Sequence, residues 1–211
     1  MKNSTRILLF LFLVNVLFWP VSAQNNPGKV KISANLDQLL TESQIYIREG
    51  LYERAQTNLL RILKLARTPQ ERMMAAFNLA EVEANLGNLS SAHDYYNQSL
   101  QLALEIGDNK TANFCQKSIE IIDIYNLAKK LRQANKHKES IEEFNKAILY
   151  CDEINDDILK IKSLRQQSIA FLNLRNYQVF LEKNMKANEI AKKINNYIEL
   201  ISTFINIGHY Y

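Results

Sequence analysis

Residues 76–107 read AFNLAEVEANLGNLSSAHDYYNQSLQLALEIG, and this stretch decides the fold. Apolar residues recur in it at helical spacing, and Gly87 with Asn88 interrupts the pattern once. The stretch therefore predicts two amphipathic helices joined by a tight turn. Small residues, Ala80 in the first helix and Ala92 in the second, allow the two helices to approach closely.

A small residue recurs at the same position of every predicted first helix along the chain. It stands at Ser43, Ala80, Ala128, Ser168 and Gly208, at spacings of 37, 48, 40 and 40 residues. In the second helices a small residue is followed four positions later by a larger one, as in Ala55 and Leu59, Ala92 and Tyr96, and Ser140 and Phe144. The fourth copy departs from this pattern at Phe180 and Asn184. Self-similarity at a period near 40 residues indicates a repeat protein.

The motif NLAEVEANLGNLSSAHDYY of residues 78–96 and the half-copy NIGHYY of residues 206–211 resemble the tetratricopeptide repeat family in its long form. The resemblance covers the chain from about residue 36 to the end. It implies an all-α solenoid, in which antiparallel helix pairs stack into a right-handed superhelix with a peptide-binding concave face. We expect four helix pairs plus the first helix of a fifth within residues 35–211.

The last predicted helix lacks a partner in this pattern. Leu200, Phe204, Ile207 and Tyr211 recur at helical spacing on one face. We therefore expect the fifth pair to be truncated, with self-association through the last helix. The alternative is that the helix from Asn196 is itself the polar-faced cap that closes a solenoid.

The first 23 residues have the pattern of a signal peptide. Lys2 and Arg6 precede an apolar run over residues 7–19, and the small residues 21–23 form a cleavage site. We expect export to the periplasm or the extracellular space, with residues 24–34 as a flexible lead-in. Cleavage lowers the formal net charge from +4 to +2, which argues against nucleic acid as a partner.

No catalytic or metal-binding motif stands out. The three histidines are far apart in the sequence, and the chain has no Gly-rich phosphate loop, G-x-S-x-G or Cys-x-x-Cys. The acid pair Asp156-Asp157 falls at a predicted helix start, where the helix dipole favours negative charge. We therefore predict a non-enzymatic protein without a metal or other cofactor.

The third repeat unit is longer than its neighbours. Residues 110–134 contain no Gly or Pro, so we expect its first helix to be about two turns longer. The overhang would carry Phe114, Cys115, Ile119 and Ile122. These side chains either pack on residues 100–106 or form an apolar surface, and packing is the expected outcome.

Cys115 and Cys151 are the only two cysteines. An oxidising compartment allows a disulfide between them, but their offset across the turn near Asn135 is at the limit of bridge geometry. Two buried reduced thiols are the favoured alternative.

The concave face that the family resemblance implies takes its residues from the first helices. The pattern places there Gln44, Arg48, Glu81, Asn85, Lys129, Arg132, Gln133, Lys162 and Arg165. The four cations Lys129, Arg132, Lys162 and Arg165 would form a basic patch suited to a carboxylate or an acidic peptide. An ordinary solvated surface is the alternative for this cluster.

Two classes of function fit these observations. The first is an envelope scaffold that binds protein or peptide segments along its groove. The second follows from similar proteins, in which an exported repeat region is the sensor of a membrane-bound histidine kinase or helix-turn-helix regulator. In the second class, contact with the membrane is expected only through a downstream segment.

Overall fold

Nine α-helices and no β-strand make up residues 34–208, the part of the chain that the structure, a computed structural model, describes. In chain order they are α1 (Ala34–Arg48), α2 (Tyr52–Leu65), α3 (Pro69–Leu86), α4 (Leu89–Ile106), α5 (Asn109–Gln133), α6 (His137–Ile154), α7 (Asp157–Asn173), α8 (Tyr177–Lys193) and α9 (Tyr197–Gly208). The predicted signal peptide and all but the last residue of the predicted lead-in lie outside the described residues.

Each helix packs against the next one in the chain, and short turns make consecutive helices antiparallel. Helices α1 to α8 form four pairs, and α9 packs on α8. The predicted all-α solenoid of stacked helix pairs is confirmed. First helices of different pairs also meet, since α7 contacts α3, α5 and α9.

The helix ends are set by residues in the left-handed backbone region. Gly50, Gly87 and Gly107 take this conformation at three of the turns, with φ between 73° and 88°. At four of the other turns the positive φ belongs to Asn135, Asn155, Arg175 and Asn195, whereas α2 ends at Ala66 with a φ of −59°. Gly adopts this region without strain and Asn tolerates it, whereas an arginine pays a steric cost. The later turns therefore end helices without the glycine that marks the earlier ones in the sequence.

The recurring small residues lie where the two helices of a pair approach. Ser43, Ala80, Ala128 and Ser168 each have no exposed surface. In the third pair Ser140 Oγ donates a hydrogen bond to the carbonyl of Ala128 at 2.8 Å. The helices of a pair thus approach closely enough for a side chain of one to bond the backbone of the other.

The fourth pair accommodates its departures from the repeat by exchanging volume between two positions. Phe180 fills the position of the small residue, and Asn184 takes that of the aromatic one; both are fully buried. Asn184 Nδ2 donates to Ser168 Oγ at 2.8 Å and to the carbonyl of Phe180 at 2.9 Å. The amide that replaces an aromatic ring is therefore held by hydrogen bonds within the pair.

The long first helix of the third pair is confirmed, since α5 has 25 residues against 18 in α3 and 17 in α7. Its overhang packs against α3 and α4, where the ring of Phe114 lies 5.3 Å from that of Phe77 and 6.3 Å from that of Tyr96. Cys115 and Cys151 are both buried and unbridged, as the favoured alternative predicts. Burial raises the pKa of the Cys115 thiol to about 11, so this thiol is protonated at neutral pH.

The expected apolar face of the last helix is wrong in its membership. Leu200 packs against a core cluster that α7 and α8 form, whereas Phe204, one turn further along the helix, is 57% exposed. Tyr211 lies outside the described residues. The difference arises because polar residues of α9, Glu199 and Thr203, take the buried positions. Helix α9 therefore does not form a cap that buries all of its apolar side chains.

Two substitutions at left-handed turn positions should change stability in opposite directions. Gly87→Ala places a Cβ at φ 88° and should cost about 1 kcal/mol, whereas Arg175→Gly removes this strain at φ 58° and should gain about 0.5 kcal/mol. Urea unfolding measures both changes. Arg175→Ala is the control, because it keeps the Cβ and should bring no gain; an equal gain from Ala would contradict the explanation.

Candidate functional site

The nine residues that the sequence places on the groove lie on four first helices. Gln44 and Arg48 are on α1, Glu81 and Asn85 on α3, Lys129, Arg132 and Gln133 on α5, and Lys162 and Arg165 on α7. Because α7 contacts α3, α5 and α9, it brings the residues of these helices near one another. Gln44 is half-buried and Gln133 is exposed, and neither takes part in the polar contacts described below.

A single carboxylate organises the interface between α7 and α9. Glu199 is 1% exposed and forms ion pairs with both Lys162 Nζ and Arg165 Nη1. Its backbone N–H donates to Asn196 Oδ1 at 3.0 Å, so Asn196 caps the start of α9. Lys162, which the pattern places on the concave face, is held in a buried position by this ion pair.

The side chain of Asn196 also bridges helices that are far apart in the sequence. Its Nδ2 donates to Asn85 Oδ1 at 2.9 Å and to Tyr52 Oη at 3.2 Å. The turn between α8 and α9 therefore meets α2 and α3. Asn85, one of the predicted groove residues, is buried in this contact.

A cleft of about 640 Å³ lies beside this bridge. Its lining combines polar groups and aliphatic side chains, and includes Arg48, Tyr52, Asn85, Ile158, Asn196 and Ile198. Mixed lining and this size are typical of sites that take a small ligand or a peptide side chain. Two of the predicted groove residues, Arg48 and Asn85, thus border one cavity.

The two predicted cations on α5 are held by neutral groups. Arg132 Nη2 donates to Gln166 Oε1 at 3.0 Å, and Lys129 Nζ lies 5.8 Å from the centroid of the Tyr125 ring. Within residues 34–208 neither cation has a carboxylate at ion-pair distance. In the same part of the chain, the buried Nε atoms of Arg132 and Arg165 have no hydrogen-bond partner.

Glu81 and Asp156 place two acids where α3 faces the start of α7. Asp156 caps α7 by accepting a hydrogen bond from the N–H of Leu159 at 2.9 Å, which agrees with its expected position at a helix start. Burial and the charge of Asp156 raise the pKa of Glu81 to about 7. Burial also raises the pKa of Asp156 to about 6, although hydrogen bonds to backbone N–H groups oppose it. Near neutral pH, Glu81 is thus only partly ionised.

Sequence reasoning missed Asn196 and Glu199, which connect the predicted residues to one another. One signal for Glu199 was available, because it is the only acidic or basic residue in the helix sequence YIELISTFINIG of α9. A lone charge in a strongly apolar helix indicates a buried ion pair, since an unpaired charge is costly to bury. No comparable local signal marks the contact of Asn196 with Tyr52.

No protein-family model matches this chain, and no curated protein matches it. In the described part of the chain, no group of three or more His, Cys, Asp or Glu residues is placed to hold a metal ion. A helix long and apolar enough to span a membrane is likewise not found among residues 34–208.

Replacing Glu199 with Gln should strongly destabilise the protein. The change leaves Lys162 and Arg165 without their anion in a buried position, and breaking a buried ion pair in this way costs about 3 kcal/mol or more. Urea unfolding at neutral pH measures the loss. Glu189→Gln, on the exposed side of α8, is the matched control and should change stability by no more than about 0.5 kcal/mol. Equal effects of the two variants would show that the ion pairs contribute nothing.

Glu81→Gln should stabilise the protein in a pH-dependent way. A carboxyl whose pKa is higher in the folded protein than in the unfolded chain lowers stability as the pH rises from about 4.5 through about 7. The glutamine side chain does not titrate, so the variant does not lose stability as the pH rises. Its gain in free energy of unfolding over the parent should be greatest near about pH 8 and vanish near about pH 4. Denaturant unfolding at both pH values tests this. The exposed Glu182→Gln should show no such pH-dependent advantage.

Proposed function

We propose that this chain is an exported, non-enzymatic scaffold of the tetratricopeptide type, and that it binds an acidic peptide segment. The binding surface is the cationic cluster, defined as Lys129, Arg132, Lys162 and Arg165. One observation carries the proposal: in residues 34–208 these four cations have a single carboxylate, Glu199, at ion-pair distance. The cluster keeps an excess of positive charge that a ligand carboxylate can balance.

The neighbouring acids do not remove this excess. Asp156 lies near Lys162 and lowers the local positive charge, but Glu81 is only partly ionised at neutral pH because its pKa is raised to about 7. Four cations therefore face Glu199, Asp156 and part of one further negative charge. Partly buried charges interact more strongly than charges in water, so the remaining excess favours an anion at this surface.

The four members of the cationic cluster have different roles in binding. Lys162 and Arg165 are fixed by Glu199, so they supply a preorganised positive field. Among residues 34–208, Lys129 and Arg132 have an aromatic ring and an amide as partners and no carboxylate at ion-pair distance, which leaves them able to bind a carboxylate directly.

The cleft beside Asn196 extends the same surface. Asn196 lines the cleft and also accepts the hydrogen bond from the N–H of Glu199, so the cleft adjoins the ion pairs through the first turn of α9. The exposed Arg48, which also lines the cleft, can donate hydrogen bonds to the backbone carbonyls of an extended segment. A peptide with an acidic residue at the cationic cluster would then have its neighbouring residue at the cleft.

A second candidate is the sensor region of an exported signalling protein. The observation that favours it is that Asn196 and Glu199 hold α9 in place and also belong to the polar network around the cationic cluster. Binding at the cluster would therefore alter the hydrogen-exchange protection of α9, whereas a plain scaffold requires no such change. Hydrogen exchange with and without peptide separates the two candidates.

Binding to a labelled oligoglutamate peptide tests the proposed function. We expect the parent chain to bind this peptide more tightly than oligoglutamine of equal length, with an affinity that falls as salt rises. The double variant Lys129→Gln and Arg132→Gln should lose roughly tenfold or more in affinity, because each removes a charge-assisted contact. Fluorescence anisotropy measures both effects.

The matched control removes two charges from another exposed surface. Lys186→Gln combined with Lys193→Gln, on α8, changes the net charge equally and should leave the affinity nearly unchanged. A loss as large as that of the α5 variant would show nonspecific attraction. Failure of the parent chain to prefer oligoglutamate would contradict the proposal.

A further inference from the structure

Helix α9 presents a continuous stripe of large apolar side chains to solvent. Its members, which we call the α9 face, are Tyr197, Ile198, Ile201, Phe204 and Ile205, with exposed fractions of 69%, 43%, 58%, 57% and 55%. Their spacing of three, four and seven residues puts them on one side of the helix. Exposed apolar patches of this kind mark interaction surfaces.

The repeat register shows what these positions do in the other first helices. When Gly208 is aligned with Ser43, Ala80, Ala128 and Ser168, Ile201 corresponds to Leu36, Met73, Ile121 and Ile161, all of them apolar and buried. Ile205 corresponds to Leu40, Phe77, Tyr125 and Arg165. The position of Ile201 is therefore buried in four helices and exposed in α9, and the position of Ile205 is apolar in three of the four.

In the second and third pairs the second helix provides this cover. Ser99 on α4 donates to the carbonyl of Met73, and the ring of Tyr96 on the same helix lies 6.2 Å from that of Phe77. The ring of Phe144 on α6 lies 5.8 Å from that of Tyr125. The α9 face thus has the register of a surface that receives an antiparallel helix. A Cβ added at Gly208 would meet no atom within 4 Å among the described residues, so there is room for such a helix beside this position.

The orientation of α9 is fixed from its other side. Glu199 pairs with α7, Thr203 Oγ1 donates to Asn188 Oδ1 at 3.3 Å, and Asn206 Nδ2 donates to Asn184 Oδ1 at 3.1 Å. Turning α9 to bury its apolar stripe would break these contacts and expose the ion pairs to solvent. Among the described residues, the apolar face therefore stays exposed.

We propose that the α9 face is a homodimer interface, in which α9 of a second copy of this chain packs antiparallel against it. In a twofold dimer the same patch lies on both sides, so each α9 takes the place of the second helix for the other. Ile201, at the middle of the stripe, then lies near the symmetry axis.

Charge favours a second α9 as the occupant. The only acidic or basic residue in Tyr197–Gly208 is Glu199, which is buried against α7, so two α9 faces approach without bringing like charges together. The opposite end of the stack does not fit this face, because α1 exposes the polar residues Asp37, Gln38 and Thr41. Among the described helices that end the stack, the apolar complement of an α9 face is therefore another α9 face.

The size of the stripe predicts a weak dimer. Half-exposed side chains of this type contribute roughly 400–500 Å² per copy, which is at the small end of specific protein interfaces. We therefore expect an equilibrium between monomer and dimer that shifts with protein concentration.

Light scattering coupled to size-exclusion chromatography on the purified full chain tests the proposal. Ile201→Glu should weaken the dimer at least tenfold, because it places two like charges near the axis. Leu149→Glu on α6 is the matched control, since Leu149 is 59% exposed against 58% for Ile201, and it should dimerise like the parent. Circular dichroism checks that both variants remain folded.

Mixing two variants tests the symmetry of the interface. Ile201→Glu and Ile201→Lys should each be monomeric, and an equal mixture should recover the dimer because opposite charges then meet near the axis. A parent chain that is monomeric at every concentration would overturn the proposal. Open-ended association would also overturn it. A monomer whose α9 is protected from hydrogen exchange would overturn it too, because another part of the same chain would then cover the α9 face.

Discussion

The close approach of two helices at a small side chain is the constraint on which the fold depends. Four residues without exposed surface, Ser43, Ala80, Ala128 and Ser168, occupy this contact. With a large side chain at these positions the helices of a pair would separate, and the larger residues around the contact would lose their packing. The fourth pair shows how far the constraint can be relaxed. There a hydrogen bond between Asn184 and Ser168 replaces the ring that the second and third pairs use.

The contact between α7 and α9 depends on one buried carboxylate that is shared by two cations. Glu199 holds Lys162 and Arg165, yet it neutralises only one of them. The ion pairs therefore fix α9 on α7 and, at the same time, leave positive charge next to Arg132 and Tyr125. Structure and proposed binding thus depend on the same side chains, which is why Lys129 and Arg132, rather than Arg165, are the positions at which binding can be tested without disturbing the fold.

Local patterns in the sequence predict the helix pairs, because helical periodicity and the small residues Ala80 and Ala92 act within about 40 residues of each other. The extra length of α5 and the burial of Cys115 and Cys151 follow from the same local information. The contact of Asn196 with Tyr52 joins residues 144 positions apart and depends on the relative orientation of all the intervening pairs. For the same reason the pattern could place Lys162 on a first helix but could not show that a residue of α9 buries it. The pattern also groups Leu200 with the exposed Phe204, since hydrophobicity alone does not show that Glu199 and Thr203 take the inner positions.

The bridge made by Asn196 has a consequence for how the chain unfolds. In an open linear array each terminal repeat has only one neighbour, so the ends fray first and stability is nearly a sum of nearest-neighbour terms. Here the start of α9 is hydrogen-bonded to α2 and α3, which gives early and late repeats a second set of contacts. Loss of either end then removes contacts from the other. Unfolding is thereby made more cooperative than that of an open array with the same number of repeats, and local opening of the last helix requires disruption near the first.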